Sequence, residues 1–273
     1  MEIKARGLTF DVYEGGPADG DPVLLLHGFP QDHREFDLIR PRLHAAGLRT
    51  YALDQRGYSP GARPTEVSDY RAAEPAADAI AVLDALGLES AHVIGHDWGA
   101  QVGWMLAAQH PERVRTLTAI SVPHPRALRL AMRVRPTQRA RFAYFALFRS
   151  PVAERFLLAG NALALRTMLR PIGGRAALYA DAMRDDPARL TGGLNWYRGL
   201  SGEQLAPVAV ITVPTTYIWP DHDGVVARTA ALRTRDWVEA DYQLVVLRDV
   251  SHWAPEQAPT AVADAALARI TGA

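Results

Sequence analysis

Along the first half of the chain, short apolar runs alternate with longer segments of helical periodicity. Alternating residues from Ile3 to Val12 predict short N-terminal strands, and the apolar run Val23-Leu24-Leu25-Leu26 predicts a buried strand ending in His27-Gly28. A helix is expected from near Arg34 to Ala46, a strand over Arg49 to Leu53, and a polar, Gly/Pro-rich loop from Asp54 to Pro64. Ser68-Asp69-Tyr70-Arg71 can cap a long helix that reaches Leu86 and stops at Gly87. Ala91-His92-Val93-Ile94 then reads as a buried strand, Ala100 to Ala108 as a helix ending near His110-Pro111, and Val114 to Val122 as another strand. Strands alternating with helices in this way predict an α/β fold, a mostly parallel sheet flanked by helices on both faces.

The rhythm breaks at Pro123-His124-Pro125. From there to about Leu205 the segments are helical, and no strand stands out. Alternation resumes with a strand over Val208 to Trp219, a helix near Val225 to Arg235, a strand over Tyr242 to Leu247 and a final helix after Pro255. The expected organisation is therefore a core of residues 1–123 and 206–273 with a helical cap of residues 124–205 inserted into it. Its place between two strands would put the cap over the carboxyl edge of the sheet, where such sheets bind ligands. Internal repeats and low-complexity tracts are lacking.

Composition narrows the chemistry. The 273 residues, 48% hydrophobic and 22% charged, suffice for one large core. A formal net charge of zero gives no reason to expect nucleic acid or an anionic membrane as partner. With no cysteine, disulfides, thiol catalysis and cysteine-ligated metal are excluded. The first residues lack an apolar run of signal-peptide length and no later segment approaches a membrane span, so a cytoplasmic protein is the expectation. Lys4 is the only lysine among thirty basic residues. The arginines dense between Arg126 and Arg149 fit a GC-rich coding sequence, and also a basic face for an anionic ligand.

The stretch with most chemical content is Gly95-His96-Asp97-Trp98-Gly99, between the strand at Ala91 and the helix at Ala100. It has the form of a nucleophile elbow, a strained strand-to-helix turn whose flanking glycines clear space for the central residue. Here that residue is aspartate. Serine attacking a saturated carbon would make an ether, a dead end, whereas aspartate makes an alkyl ester that water can reopen at its carboxyl carbon. Asp97 thus suggests displacement at an sp3 carbon; the other reading is an Asp that simply caps the next helix.

A nucleophile of this kind needs a base, an acid and an oxyanion hole. Ser251-His252-Trp253 follows the last strand and offers the base. Trp219-Pro220-Asp221-His222-Asp223 follows the preceding strand and offers two acids. Nucleophile, acid and histidine then stand in the order known for nucleophile-elbow enzymes. His27-Gly28-Phe29-Pro30 can aim the Phe29 N–H at an oxygen held by the elbow, with the Trp98 N–H as second donor. His92, His96, His110, His124 and His222 share no zinc-ligand spacing, so no metal is expected, and surface or hydrogen-bonded roles suit them better.

Together these residues resemble the α/β-hydrolase family and, within it, the epoxide hydrolases related to soluble epoxide hydrolase. The resemblance rests on HGFP (His27 to Pro30), DQRGYS (Asp54 to Ser59), GHDWGA (Gly95 to Ala100), LNWYR (Leu194 to Arg198), DHD ending at Asp223, and SHW (Ser251 to Trp253). It covers nearly the whole chain from about Asp21. It implies an α/β-hydrolase fold, Asp97 as nucleophile, His252 as the base that activates water, and Asp223, rather than Asp221, as the acid. Tyr197, with its neighbour Trp196 in LNWYR, matches one of two cap tyrosines that grip the epoxide oxygen, and Tyr144 the other. Phe29, Trp98, His27 and Pro30 fall in the oxyanion and substrate-binding part of the pattern. Arg149 and Val152 depart from the usual Gln and Gly after the Tyr144 motif, which puts Tyr144 in doubt; Pro220 and Ala100 are further departures.

The implied activity is hydrolysis of a small epoxide to a vicinal diol, with water and no cofactor. Opening an epoxide creates an alkoxide that needs a proton or strong hydrogen bonds, and phenols can supply both while staying uncharged. A dehalogenase with the same aspartyl-ester cycle is the nearest rival, disfavoured by Phe29 and Trp98 where those enzymes usually carry Asn and Arg. A ligand-binding protein on a disabled hydrolase core is the other. A homodimer stays open as the assembly.

Overall fold

The computed structural model describes residues 1–200 and 208–272. Strand β1 (Glu2–Ala5) pairs antiparallel with β2 (Leu8–Gly15), and β2 pairs antiparallel with β4 (Leu48–Leu53). All other pairs are parallel: β4 with β3 (Asp21–Leu26), β3 with β5 (Ala91–His96), β5 with β6 (Val114–Ile120), then β7 (Thr215–Pro220) and β8 (Tyr242–Leu247). The eight-stranded sheet therefore runs β1-β2-β4-β3-β5-β6-β7-β8. Strand order reverses at β3, whose neighbours β4 and β5 lie on opposite sides. Such a switch point opens a crevice at the carboxyl ends of the strands, and Phe29 follows the end of β3 while Asp97 follows the end of β5.

The apolar run that predicts β3 is buried on both faces because successive side chains point opposite ways. Val23 and Leu25 pack with Leu43 of α1 (Arg40–Ala45) and with Val262 and Ala266, near the C-terminus. Leu24 and Leu26 belong to one buried cluster with Val82 of α2 (Ala73–Ala85) and Trp104 of α3 (Trp98–Gln109). Between β6 and β7 the chain forms α4 (Pro125–Val134), α5 (Pro136–Arg141), α6 (Tyr144–Phe148), α7 (Ala153–Met168), α8 (Ala176–Asp185) and α9 (Pro187–Gly199). The expected return to the core at residue 206 lies outside the described residues. After β7 come α10 (Arg228–Arg233), then β8, α11 (Ala254–Gln257) and α12 (Pro259–Thr271).

Several predicted elements differ in extent, each for a local reason. The helix expected from Arg34 splits into a 3-10 turn at His33–Phe36 and α1, whose Pro41 suits a first helical turn and not an interior. The helix expected from Ser68 begins as a 3-10 turn, Val67–Tyr70, and extended Arg71 separates it from α2. The strand expected over Val208 to Trp219 narrows to β7, with Ile211 making only an isolated bridge to Val238. The helix expected near Val225 starts only at Arg228, after a turn in which the Asp223 carboxylate accepts the Val225 and Val226 N–H groups. The last helix divides at Ala258, which Pro259 forces away from helical geometry.

Candidate active site

Asp97 stands between β5 and α3 at φ +51°, ψ −116°, a left-handed setting that costs a side chain such as aspartate roughly 1–3 kcal/mol. Close packing imposes it. A Cβ on Gly99 would lie 1.8 Å from the Leu26 carbonyl oxygen, and one on Gly28 would lie 2.4 Å from the Asp97 Cβ. The turn can therefore press against the end of β3 only with glycine at both places. Asp97 occupies the N-cap of α3 but its side chain caps nothing, which removes the helix-capping reading.

The carboxylate is engaged elsewhere. Its Oδ1 accepts the Phe29 N–H at 3.0 Å, and its Oδ2 faces the His252 Nε2 at 3.3 Å. The Trp98 N–H, first in α3, has no partner within its own helix and remains a donor beside Asp97. On its other side the His252 Nδ1 lies 3.2 and 3.1 Å from the two Asp223 oxygens. Asp223 is itself fixed by the Val225 and Val226 N–H groups, at 2.6 and 3.1 Å. Asp221 turns away, accepts the Asp249 N–H at 2.8 Å and faces Arg248 at 3.4 Å. Of the two acids, geometry brings only Asp223 to the imidazole.

A cavity of about 500 Å³ opens over these groups, with Phe29, Asp97 and His252 on its floor and Tyr144, Phe148 and Tyr197 among the helical residues of its wall. A smaller chamber of about 80 Å³, reaching Trp98 and Phe142, shares Asp97, Tyr144 and Tyr197 with it. The Tyr197 ring meets Phe29 at 5.4 Å and Trp98 at 5.1 Å, edge to face, and Tyr144 lies 6.1 Å from it. Both tyrosines therefore stand where the two chambers join.

The remaining sequence candidates lie behind this wall. His27 is fully buried, with Nδ1 beside the Gly28 carbonyl at 3.0 Å and Nε2 accepting the Gln55 N–H at 3.1 Å. Pro30 is buried beside Phe29, and the Trp196 indole N–H donates to the Arg56 carbonyl at 2.9 Å. None of the three lines either chamber, whereas Phe29 and Trp98, the other residues expected in the oxyanion and substrate-binding part, do.

Three comparisons bear on this arrangement. The family model for the alpha/beta hydrolase fold matches residues 21–259. The chain is 33% identical to the AB hydrolase superfamily protein YfhM of Bacillus subtilis, over 95% of this chain and 93% of that protein. The chain belongs to the alpha/beta hydrolase family. This hydrolase is also 32% identical to epoxide hydrolase A of Mycobacterium tuberculosis, over 99% of its own length and 96% of the other's. Among solved structures, epoxide hydrolase A from Mycobacterium thermoresistibile superposes with a TM-score of 0.84 at 27% identity, covering 100% of this chain and 98% of that one.

Electrostatics in this hydrolase follow from burial set against pairing. Burial alone would lower the His252 pKa, but the Asp223 charge and hydrogen bond, and then Asp97, raise it to about 10. Burial works against the Asp97 charge in the same way, and His252 together with the Phe29 N–H still holds the carboxyl below its ordinary value. At neutral pH the pair is carboxylate and imidazolium. Burial, and then neighbouring tyrosine or carboxylate groups, push the Tyr144 and Tyr197 phenols well above their ordinary value, so both keep their protons.

Sequence reasoning missed a second buried pair under the floor. Glu35, fully buried, faces the His96 Nδ1 at 2.6 Å and accepts the Gly28 N–H at 3.1 Å. The His96 Nε2 lies 2.8 Å from the His252 carbonyl oxygen, which also accepts the Ser121 hydroxyl at 2.8 Å. The pair thus ties the Phe29 turn to the His252 loop. His92, beside the Thr116 hydroxyl, and His124, beside the Ala209 carbonyl, are hydrogen-bonded as expected. Among the described residues one grouping of potential metal ligands occurs, Asp32, His33 and Asp54, and its Asp32 is already paired with Arg34 and Arg189. Among the same residues no helix is long and apolar enough to cross a membrane.

Proposed function

We propose that this hydrolase opens epoxides to vicinal diols through an alkyl ester on Asp97, with α4 to α9 serving as the cap over the core. The observation that carries the reading is the pair of protonated phenols, Tyr144 and Tyr197, on the wall of the cavity whose floor holds a buried carboxylate nucleophile. In the first half-reaction the Asp97 Oδ2 attacks an epoxide carbon as its C–O bond breaks. The departing alkoxide takes a proton from a tyrosine. Oδ1, held by the Phe29 N–H, becomes the ester carbonyl oxygen.

The same step prepares the second half. Esterification removes the Asp97 charge, one of the causes that raise the His252 pKa, so the imidazolium releases a proton more readily. That proton restores the tyrosine that protonated the alkoxide. Neutral His252, oriented by Asp223, then takes a proton from water, whose oxygen adds to the Asp97 carboxyl carbon. The oxyanion forms on Oδ1, beneath the Phe29 and Trp98 N–H groups; its collapse breaks the Cγ–Oδ2 bond, the departing oxygen takes the proton that the new carboxyl oxygen brought from water, and the diol leaves Asp97 as carboxylate beside the His252 imidazolium.

Intact-mass measurement tests the cycle: His252→Gln protein mixed with an epoxide gains the substrate mass on the Asp97 peptide. An adduct elsewhere overturns the mechanism. In the dehalogenase alternative, the Trp98 indole N–H, which is engaged with the Tyr197 hydroxyl where the two chambers join, would be the donor that meets a halide. Turnover of a haloalkane panel together with refusal of every epoxide would establish that alternative. We extend the proposal to a cytoplasmic enzyme and a homodimer, tested by cell fractionation and light scattering.

A further inference from the structure

The acid loop is held from the cap side. Gln138 of α5 is fully buried, and both ends of its amide are spent on that loop: Nε2 donates to the Val225 carbonyl at 2.9 Å, and Oε1 accepts the Ala227 N–H at 2.8 Å. Arg141, one helical turn further along α5, donates to the Asp223 backbone carbonyl. Within the loop the Asp223 carboxylate takes the Val225 and Val226 N–H groups while its oxygens face the His252 Nδ1. A buried amide is costly unless both of its atoms are paired, and here they are paired with the backbone that shapes the acid. The Arg-rich stretch around α5 thus contains a polar clamp on the far side of the acid–histidine pair.

We propose that Gln138 and Arg141 are positioning residues that set the Asp223 loop against His252, so that correct seating of the cap is a condition for ester hydrolysis. The proposal rests on the aspartyl-ester reading given above. Gln138 touches no reacting atom; it acts through Val225 and Ala227. The chemistry makes the role separable from mere cap stability. Asp223 and His252 serve the hydrolytic half-reaction, whereas Tyr144, three residues beyond Arg141, serves epoxide opening. A clamp that only kept the cap in place would, when lost, displace Tyr144 and slow ester formation first.

Rapid-quench kinetics with styrene oxide as probe separate the two steps. Gln138→Met, close in size but unable to pair, is expected to slow ester hydrolysis about 10- to 100-fold, the scale of a small misplacement of a catalytic group. Ester formation should change less than about 2-fold, and the ester should accumulate at steady state. Gln138→Glu keeps the acceptor for the Ala227 N–H and loses the donor to Val225, so it should fall between wild type and Met. Arg141→Met should slow the same step. Ester formation slowed as much as hydrolysis, or neither step altered, overturns the inference. If Gln138→Met does not fold, Gln138→Glu and Arg141→Met decide the matter by the same ratio. Wild-type protein that forms no ester from any epoxide refutes the underlying reading instead, and is distinct from wild type that turns over while the variants match it.

Discussion

The floor and the wall of the cavity are built on opposite principles. On the floor every charged atom has a partner: Asp97 with Phe29 and His252, His252 with Asp223, Asp223 with the N–H groups of its own loop. The wall is aromatic, with Tyr144 and Tyr197 set among Phe145, Phe148 and Trp98. Ionised groups out of water must be paired, or they neutralise instead. Phenols tolerate an apolar setting and emerge from it more firmly protonated. The division teaches which half of the cycle each side can serve. On the proposed reaction, fixed charges suit the floor, where an ester would be made and cleaved, and neutral donors suit the wall, where an alkoxide would be met by a proton.

The sharpest way to break this contrast is to remove the nucleophile. Asp97→Ala should abolish diol formation, a loss on the order of 10⁴-fold or more, measured against a range of epoxides; substantial residual turnover would mean that the floor acts without covalent chemistry. Asp223→Asn comes next. By analogy with triad enzymes it should cost up to about 10⁴-fold in turnover, while Asp221→Asn, whose side chain faces Arg248 and the Asp249 N–H, should cost little. The reverse ranking would assign the acid to the other residue.

On the wall, Tyr197→Phe deletes one donor and keeps the ring. Ester formation should slow about 10- to 1000-fold, with any halide release nearly unchanged, because a halide leaves without a proton. Equal losses on both substrates would erase the distinction between wall and floor. The smallest effect is a trend in stability. An imidazolium whose folded pKa is raised to about 10 contributes stability that is complete below its unfolded value near 6.5 and is lost as pH climbs through 10. Urea unfolding from pH 7 to 10 should therefore show the advantage of wild type over His252→Gln shrinking with pH; a widening gap would contradict the ion pair.

How much of this could be read from the chain depends on which signals are local. Asp97 was legible because an elbow needs its glycines, and they stand on either side of it between a mostly apolar strand and a helix. His252 follows a strand and so was legible by position, whereas position left Asp221 and Asp223 both open as the acid and only the family resemblance favoured Asp223; the alternation of strands and helices gave the α/β architecture directly. Helix ends were less legible, although Pro41 and Pro259 stood in plain view as interruptions. Glu35 and His96 were not readable, since nothing adjacent in sequence says that a glutamate in the polar run Gln31-Asp32-His33-Arg34 is sealed under the sheet edge against a histidine. Gln138 hid for the converse reason. It lies in a stretch dominated by exposed arginines, and only the folded chain brings its amide to the loop at Val225.

The aromatic wall has a consequence for how a turnover ends. An epoxide surrenders little hydration when it enters such a chamber, whereas a diol carries two hydroxyls that want water. Each hydroxyl left without a partner among aromatic rings costs roughly 1–3 kcal/mol, so the reaction converts a guest that suits the chamber into one that does not. On the proposed reaction, expulsion is thereby coupled to the polarity that the chemistry itself creates. Feedback by accumulated diol should accordingly be weak, and weakest for the diols with the smallest apolar body.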